Sequence, residues 1–142
     1  MTALQFERFY PYVGALLVAA AWYVLGCAFP KDPTNLLVAT GTTSAVLVGF
    51  VATVMAIILS ITGSAVFRTL RAAGYHKDLF NYLFEAIVWG MLFLVFSMVG
   101  YFVTTPEVTP WLFKALWVLL AGLNLFVFLR AFLIVFKLLK QA

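Results

Sequence analysis

TTSAVLVGFVATVMAIILSITGSAVF, residues 42–67, carries no charged side chain and exceeds the roughly 20 apolar residues that cross a bilayer as a helix. At about 100° per residue, Thr42, Ala45, Gly49, Thr53, Ala56, Ser60 and Gly63 share one stripe. Val46, Leu47, Val51, Val54, Ile57 and Ile58 lie mainly elsewhere. Lipid gains nothing from small and hydroxylated side chains, so the stripe is expected to touch protein or water. Close helix packing through small-xxx-small spacing is one reading. Lining an aqueous pore is the other, with Thr42, Thr43 and Ser44 at the outer end and Thr53 and Ser60 deeper. An uncharged lining of hydroxyls and glycine would pass ions with little selectivity.

The rest of the chain has the same character. Of 142 residues, 65% are hydrophobic and 10% charged, and a mean hydropathy of +1.10 lies far outside a soluble domain. Three further apolar runs, Tyr10–Phe29, Leu79–Val103 and Trp111–Leu139, are each long enough to span. Pro30, Asp32 and Pro33 close the first run, and Pro106 and Pro110 separate the last two. The expected fold is therefore an all-α integral membrane protein of four transmembrane helices, forming one domain over residues 1–142. One copy has too few helices to enclose water, so a homo-oligomer surrounded by membrane lipid is expected.

Basic residues set the orientation. Arg8, Arg68, Arg71, Lys77, Lys137 and Lys140 fall on one side of a four-span layout, with Arg130 near it, against Lys31 and Lys114 on the other. Positive residues are retained in the cytoplasm, so both termini are expected there. Trp22, Tyr23, Tyr101 and Trp111 mark the outer interface, and Tyr10, Tyr12, Tyr75 and Tyr82 the inner one. The basic surface at Arg68, Arg71, Lys77, Lys137 and Lys140 reads first as a topology signal at an anionic leaflet. Docking of a cytosolic partner protein is its second reading.

Three polar side chains stand inside the apolar runs. Glu85 lies roughly 10 Å inside the membrane if its helix begins near Leu79. It reads as a cation or proton site, or as a structural partner of Arg130, Asn81 or a helix-two hydroxyl. Arg130, about 28 Å along its helix from Trp111, reaches the same zone, where it pairs with Glu85 or snorkels to headgroups. Asn124 reads as an interhelical hydrogen-bonding group, with a permeation path as second choice.

One Cys and one His leave no intrachain disulfide and no metal or haem constellation, so no cofactor is expected. Val24-Leu25-Gly26-Cys27 resembles a lipoprotein cleavage box, but Leu25 suits it poorly and an intact helix is expected. No nucleophile, base and orienting group can be placed together outside lipid, so an enzyme is not expected. No specific nucleic-acid motif occurs.

The layout resembles the Rex-type prophage exclusion membrane proteins, the channel half of two-protein systems that abort phage infection. The shared features are one first span, a Pro-containing outer loop, the Gly- and hydroxyl-rich GTTSAVLVGFVATVMAIILSITGS (41–64), the basic turn RTLRAAGYHKD (68–78) and two closely linked final spans. The membrane subunit of Kiwa-type antiphage systems is similar in broad design. This resemblance implies a multi-pass protein of the bacterial inner membrane that works with a cytosolic sensor and, in the Rex case, depolarises the membrane. A non-conducting scaffold that recruits a cytosolic partner is the alternative, and a small proton-coupled exporter built on Glu85 is a third.

Overall fold

Among the described residues the chain forms helices α1 (Ala3–Val24), α2 (Thr34–Ser60), α3 (His76–Val103) and α4 (Trp111–Gln141). The computed structural model describes residues 3–60, 76–103 and 109–141, and the side chains within 8–60, 78–103 and 109–136. Every described element is helical, and α2, α3 and α4 are long and apolar enough to cross a membrane. Arg68, Arg71 and Gly63 lie outside the described residues, as do the side chains of Lys77, Lys137 and Lys140.

The helix ends follow local chemistry more closely than the apolar runs do. Gly26 adopts φ 59°, a conformation glycine reaches without a Cβ clash. Its N–H donates to the Tyr23 carbonyl at 3.2 Å, and Cys27 N–H donates to that of Trp22 at 3.3 Å. This paired closure stops α1, whereas the apolar run continues to Phe29.

The start of α2 departs further from the sequence expectation. Asp32 Oδ1 accepts from Thr34 N–H at 3.0 Å, and Leu37 N–H donates to the Pro33 carbonyl at 2.9 Å. Asp32 thus caps the helix, and Pro33 stands immediately before its first residue, Thr34, where a missing N–H costs nothing. The helix therefore begins well before Thr42, so Ser44 stands about 15 Å along it instead of at its mouth. Pro110 opens α4 in the same manner, its carbonyl accepting from Lys114 N–H at 3.2 Å.

The helices are arranged around α4. It packs against both α1 and α3, while α2 packs on α3 and reaches α4 through a stacked Phe50–Phe132 pair with centroids 5.3 Å apart. Half of the apolar stretch of α4 is buried, against 28% in α3 and 17% in α2. One core cluster joins Ala15, Val51, Leu83, Ala86, Val127 and Ala131. A second, nearer the α1–α2 connection, joins Leu37, Phe93, Trp117 and Val118, with Phe29 edge-on to Trp117 at 5.7 Å.

Surrounding lipid is as apolar as these side chains, so helix association in a membrane rests on close contact and hydrogen bonds. Close contact occurs at glycines of α1, α3 and α4. A Cβ on Gly90 would strike Val48 and the Phe128 ring, one on Gly100 would strike Phe113, and one on Gly14 would meet Phe126 at 2.8 Å. At Gly122 it would lie 3.4 Å from the Ala15 backbone. Gly49, on the stripe, has nothing within 4 Å.

These contacts separate two kinds of glycine. Gly90→Leu is expected to destabilise the bundle by about 1–3 kcal/mol through overpacking, and Gly49→Leu to leave a single chain's stability unchanged. Titration of a denaturing detergent into mild micelles, followed by circular dichroism, measures both. The Asp32 cap makes a separate prediction. Hydrogen bonds from the Thr34 side chain and N–H hold its carboxyl below the usual carboxylate range. A depressed folded pKa means that the cap's contribution is present above the ordinary value and lost as pH falls through the lowered one. Asp32→Asn is expected to flatten the acid limb of the stability profile, and an unchanged limb in that variant would remove the cap's role.

Candidate functional site

Two polar clusters sit inside the bundle, and between them they hold all four helices. The first centres on Glu85, about 13 Å from the start of α3. Arg130 on α4 donates from Nη2 to Glu85 Oε2 at 2.6 Å. Tyr12 on α1 donates its hydroxyl to the other oxygen, Oε1. Both carboxylate oxygens are thereby satisfied by neighbouring helices. Arg130 is 1% exposed and Glu85 24%.

The guanidinium has two further contacts. Its Cζ stands 4.3 Å from the centroid of the Tyr82 ring, which places a cation over an aromatic face. Nη1 donates to the Arg8 carbonyl on α1 at 3.4 Å. Nε finds no hydrogen-bond partner. Arg130 therefore does not snorkel outward; it is held in the bundle by the side chains of α3 and the backbone of α1.

The second cluster lies nearer the middle of the helices. Ser44 donates to the Gly90 carbonyl at 2.9 Å, and Asn124 Nδ2 donates to Ser44 Oγ at 3.2 Å. Ser44 and Asn124 are both buried. Because Gly90 has no side chain, α2 comes near enough for the serine to reach an α3 carbonyl. Asn124 is thus an interhelical hydrogen-bonding residue, as its side-chain chemistry suggests.

The stripe on α2 takes no part in either cluster. Thr42, Ala45, Gly49, Thr53, Ala56 and Ser60 are all exposed on the outside of the bundle. Their hydroxyls turn back on their own helix. Thr42 donates to the Val38 carbonyl at 2.8 Å, Thr53 to that of Gly49 at 2.8 Å, and Ser60 to that of Ile57 at 2.7 Å. Among the described residues no helix packs in close on the stripe, and a Cβ on Gly49 would meet nothing within 4 Å. Instead Ser44, one position before Ala45, points inward.

Tyr12, Tyr82 and Gly90 are residues that sequence reading did not assign to the site, and Ser44 is one that it assigned to a pore lining instead of a contact between helices. Tyr12 and Tyr82 read as interfacial aromatics, and Ser44 as a member of an outer hydroxyl group. A signal for Tyr12 was nonetheless present, since it lies within one helical turn of Arg8 on the cytoplasmic side, the zone to which depth assigns Glu85. Among the described residues no three of His, Cys, Asp and Glu gather in a metal-binding group. Comparison with known proteins gives no match to a family, to a curated sequence or to a solved structure.

Removing one partner of a buried ion pair strands the other charge, which costs about 3–5 kcal/mol, whereas replacing both by apolar residues is often neutral. Glu85→Met and Arg130→Met are each expected to lower stability on that scale, and the double variant to recover most of the loss. Additive losses in the detergent titration would show that the contact carries no coupling energy. Ser44→Ala is expected to cost less, about 0.6–1.7 kcal/mol, the range of interhelical hydrogen bonds in membranes.

Proposed function

We propose that this chain is the subunit of a homo-oligomeric, ion-conducting or membrane-depolarising effector of the bacterial inner membrane. In this reading α1 is a fourth span and both termini are cytoplasmic. At about 1.5 Å per residue its 22 residues reach about 33 Å, slightly more than the thickness of a hydrocarbon layer of about 30 Å. The observation that carries the reading is the exposed stripe on α2. A continuous face of Thr42, Ala45, Gly49, Thr53, Ala56 and Ser60 has little side-chain relief, which suits close approach of a neighbouring helix. Its hydroxyls also offer oxygen atoms to water or ions if copies surround an axis.

The interior of a single copy favours the same division of labour. Among the described residues its core is filled by the two apolar clusters and the two polar ones, so conduction belongs between copies. Both Glu85 oxygens already hold donors, which weighs against a proton-carrying exporter site. The likeness in layout to Rex-type exclusion proteins supports an effector triggered from the cytoplasmic side, where the basic residues Arg68, Arg71 and Lys77 would meet a partner.

Flux from liposomes tests the proposal. Purified protein is expected to release an entrapped potassium gradient when activated, and Gly49→Leu, Thr53→Leu or Ser60→Leu to change that flux at least about tenfold while the fold is kept. A non-conducting scaffold predicts another pattern: no flux from the unaltered protein, with function lost only when Arg68, Arg71 and Lys77 are reversed in charge.

A further inference from the structure

A groove of about 390 Å³ runs between α2 and α3 on the outside of the bundle. Leu37, Gly41 and Ala45 form one wall, and Leu94, Ser97 and Tyr101 the other. Its volume falls in the ~300–1,000 Å³ range of small-molecule sites. The groove exists because Gly41 and Ala45 supply almost no side chain opposite α3. A Cβ on Gly41 would meet only Ser97 Cβ, at 3.8 Å.

Position and chemistry identify an occupant. α3 has 28 residues, about 42 Å, so it overhangs a hydrocarbon layer of about 30 Å by about 6 Å at each end. Ser97 lies about 9 Å from the Val103 end, hence about 3 Å below the boundary where lipid esters reside. Its hydroxyl is buried and finds no hydrogen-bond partner among the described residues, a condition that costs free energy in hydrocarbon. The exposed Tyr101 stands above it, at the level where tyrosines meet headgroups. An open apolar groove at this depth faces acyl chains, and water gains no hydrogen bonds from its lining.

We propose that this groove is a binding site for one phospholipid, whose acyl chain lies over Gly41 and Ala45 and whose ester carbonyl accepts from the Ser97 hydroxyl. The bound chain restores the contacts that the two small residues leave open. This site rests on α3 crossing the membrane and takes the Thr42 and Ala45 end of the stripe, leaving Gly49, Thr53, Ala56 and Ser60 for a neighbouring copy; it survives if the protein passes no ions.

Native mass spectrometry tests it on full-length protein. The protein is reconstituted into vesicles of palmitoyl-oleoyl phosphatidylethanolamine and extracted into mild detergent. The expected result is one retained lipid per chain. Gly41→Leu, which fills the groove from its buried floor, and Ala45→Phe, which fills it from the exposed rim, are expected to lower retention about tenfold. Leu129→Phe, at an exposed position outside the groove, is expected to leave it unchanged. Ser97→Ala is expected to lower it about threefold, the equivalent of the ~0.6 kcal/mol of an average hydrogen bond in a membrane. Equal retention in the folded Ala45→Phe variant overturns the site. Loss of oligomer mass in that variant with lipid unaltered also overturns it, because a second copy then fills the groove.

Discussion

A guanidinium that is 1% exposed inside an apolar bundle constrains everything around it. A charge inside a membrane helix is costly, about 2.5–3.5 kcal/mol at the centre on lenient scales, so Arg130, away from the interface water that its burial excludes, requires partners that cannot drift. Glu85 supplies the opposite charge from α3, Tyr82 covers the cation with its ring, and α1 brings both the Tyr12 hydroxyl and the Arg8 carbonyl. Three helices are thereby fixed in register at one level. A slip of one helical turn, about 5.4 Å, would break these contacts together.

The fourth helix is fixed in another way. Ser44 reaches a backbone carbonyl because Gly90 opens the space, and Asn124 then secures the serine from α4. Van der Waals contact follows the same logic: glycines at 14, 90, 100 and 122 receive side chains or backbone of a neighbouring helix. Small residues inside the bundle serve the chain itself. Those on the outside of α2 serve whatever the chain meets, because their hydroxyls are already satisfied by their own helix and demand no polar partner.

Much of the helical plan was legible. Runs at Leu79–Val103 and Trp111–Leu139 correspond closely to α3 and α4, because length and apolarity alone define them. The ends of α1 and the start of α2 were less legible. Pro33 was read as a break, whereas an Asp-Pro pair also caps and opens a helix, and the apolar run past Gly26 concealed a turn. Glu85 and Arg130 stood out because charge in an apolar run is costly wherever it points. The inward faces did not stand out, since lipid-facing and core-facing positions are equally apolar and periodicity cannot rank them. That is why the stripe containing Thr53 and Gly49 drew attention while Ser44, the hydroxyl that joins helices, was grouped with its neighbours at the helix mouth.

This division between inside and outside limits how an assembly of such chains can change state. Sliding α1 or α3 past α4 would separate Glu85 from Arg130, at the several kcal/mol of a broken buried pair, and would pull the glycine contacts apart as well. The exposed face of α2 imposes no comparable cost. Its hydroxyls keep their own carbonyls whether a neighbour, lipid or water lies opposite, so moving one bundle against another exchanges only dispersion contacts of similar strength. Transitions in a proposed assembly are therefore cheapest as rigid-body movements of whole bundles about α2. Polar side chains at α2's outer face would raise that cost, and the chain places there only side chains that need nothing from outside.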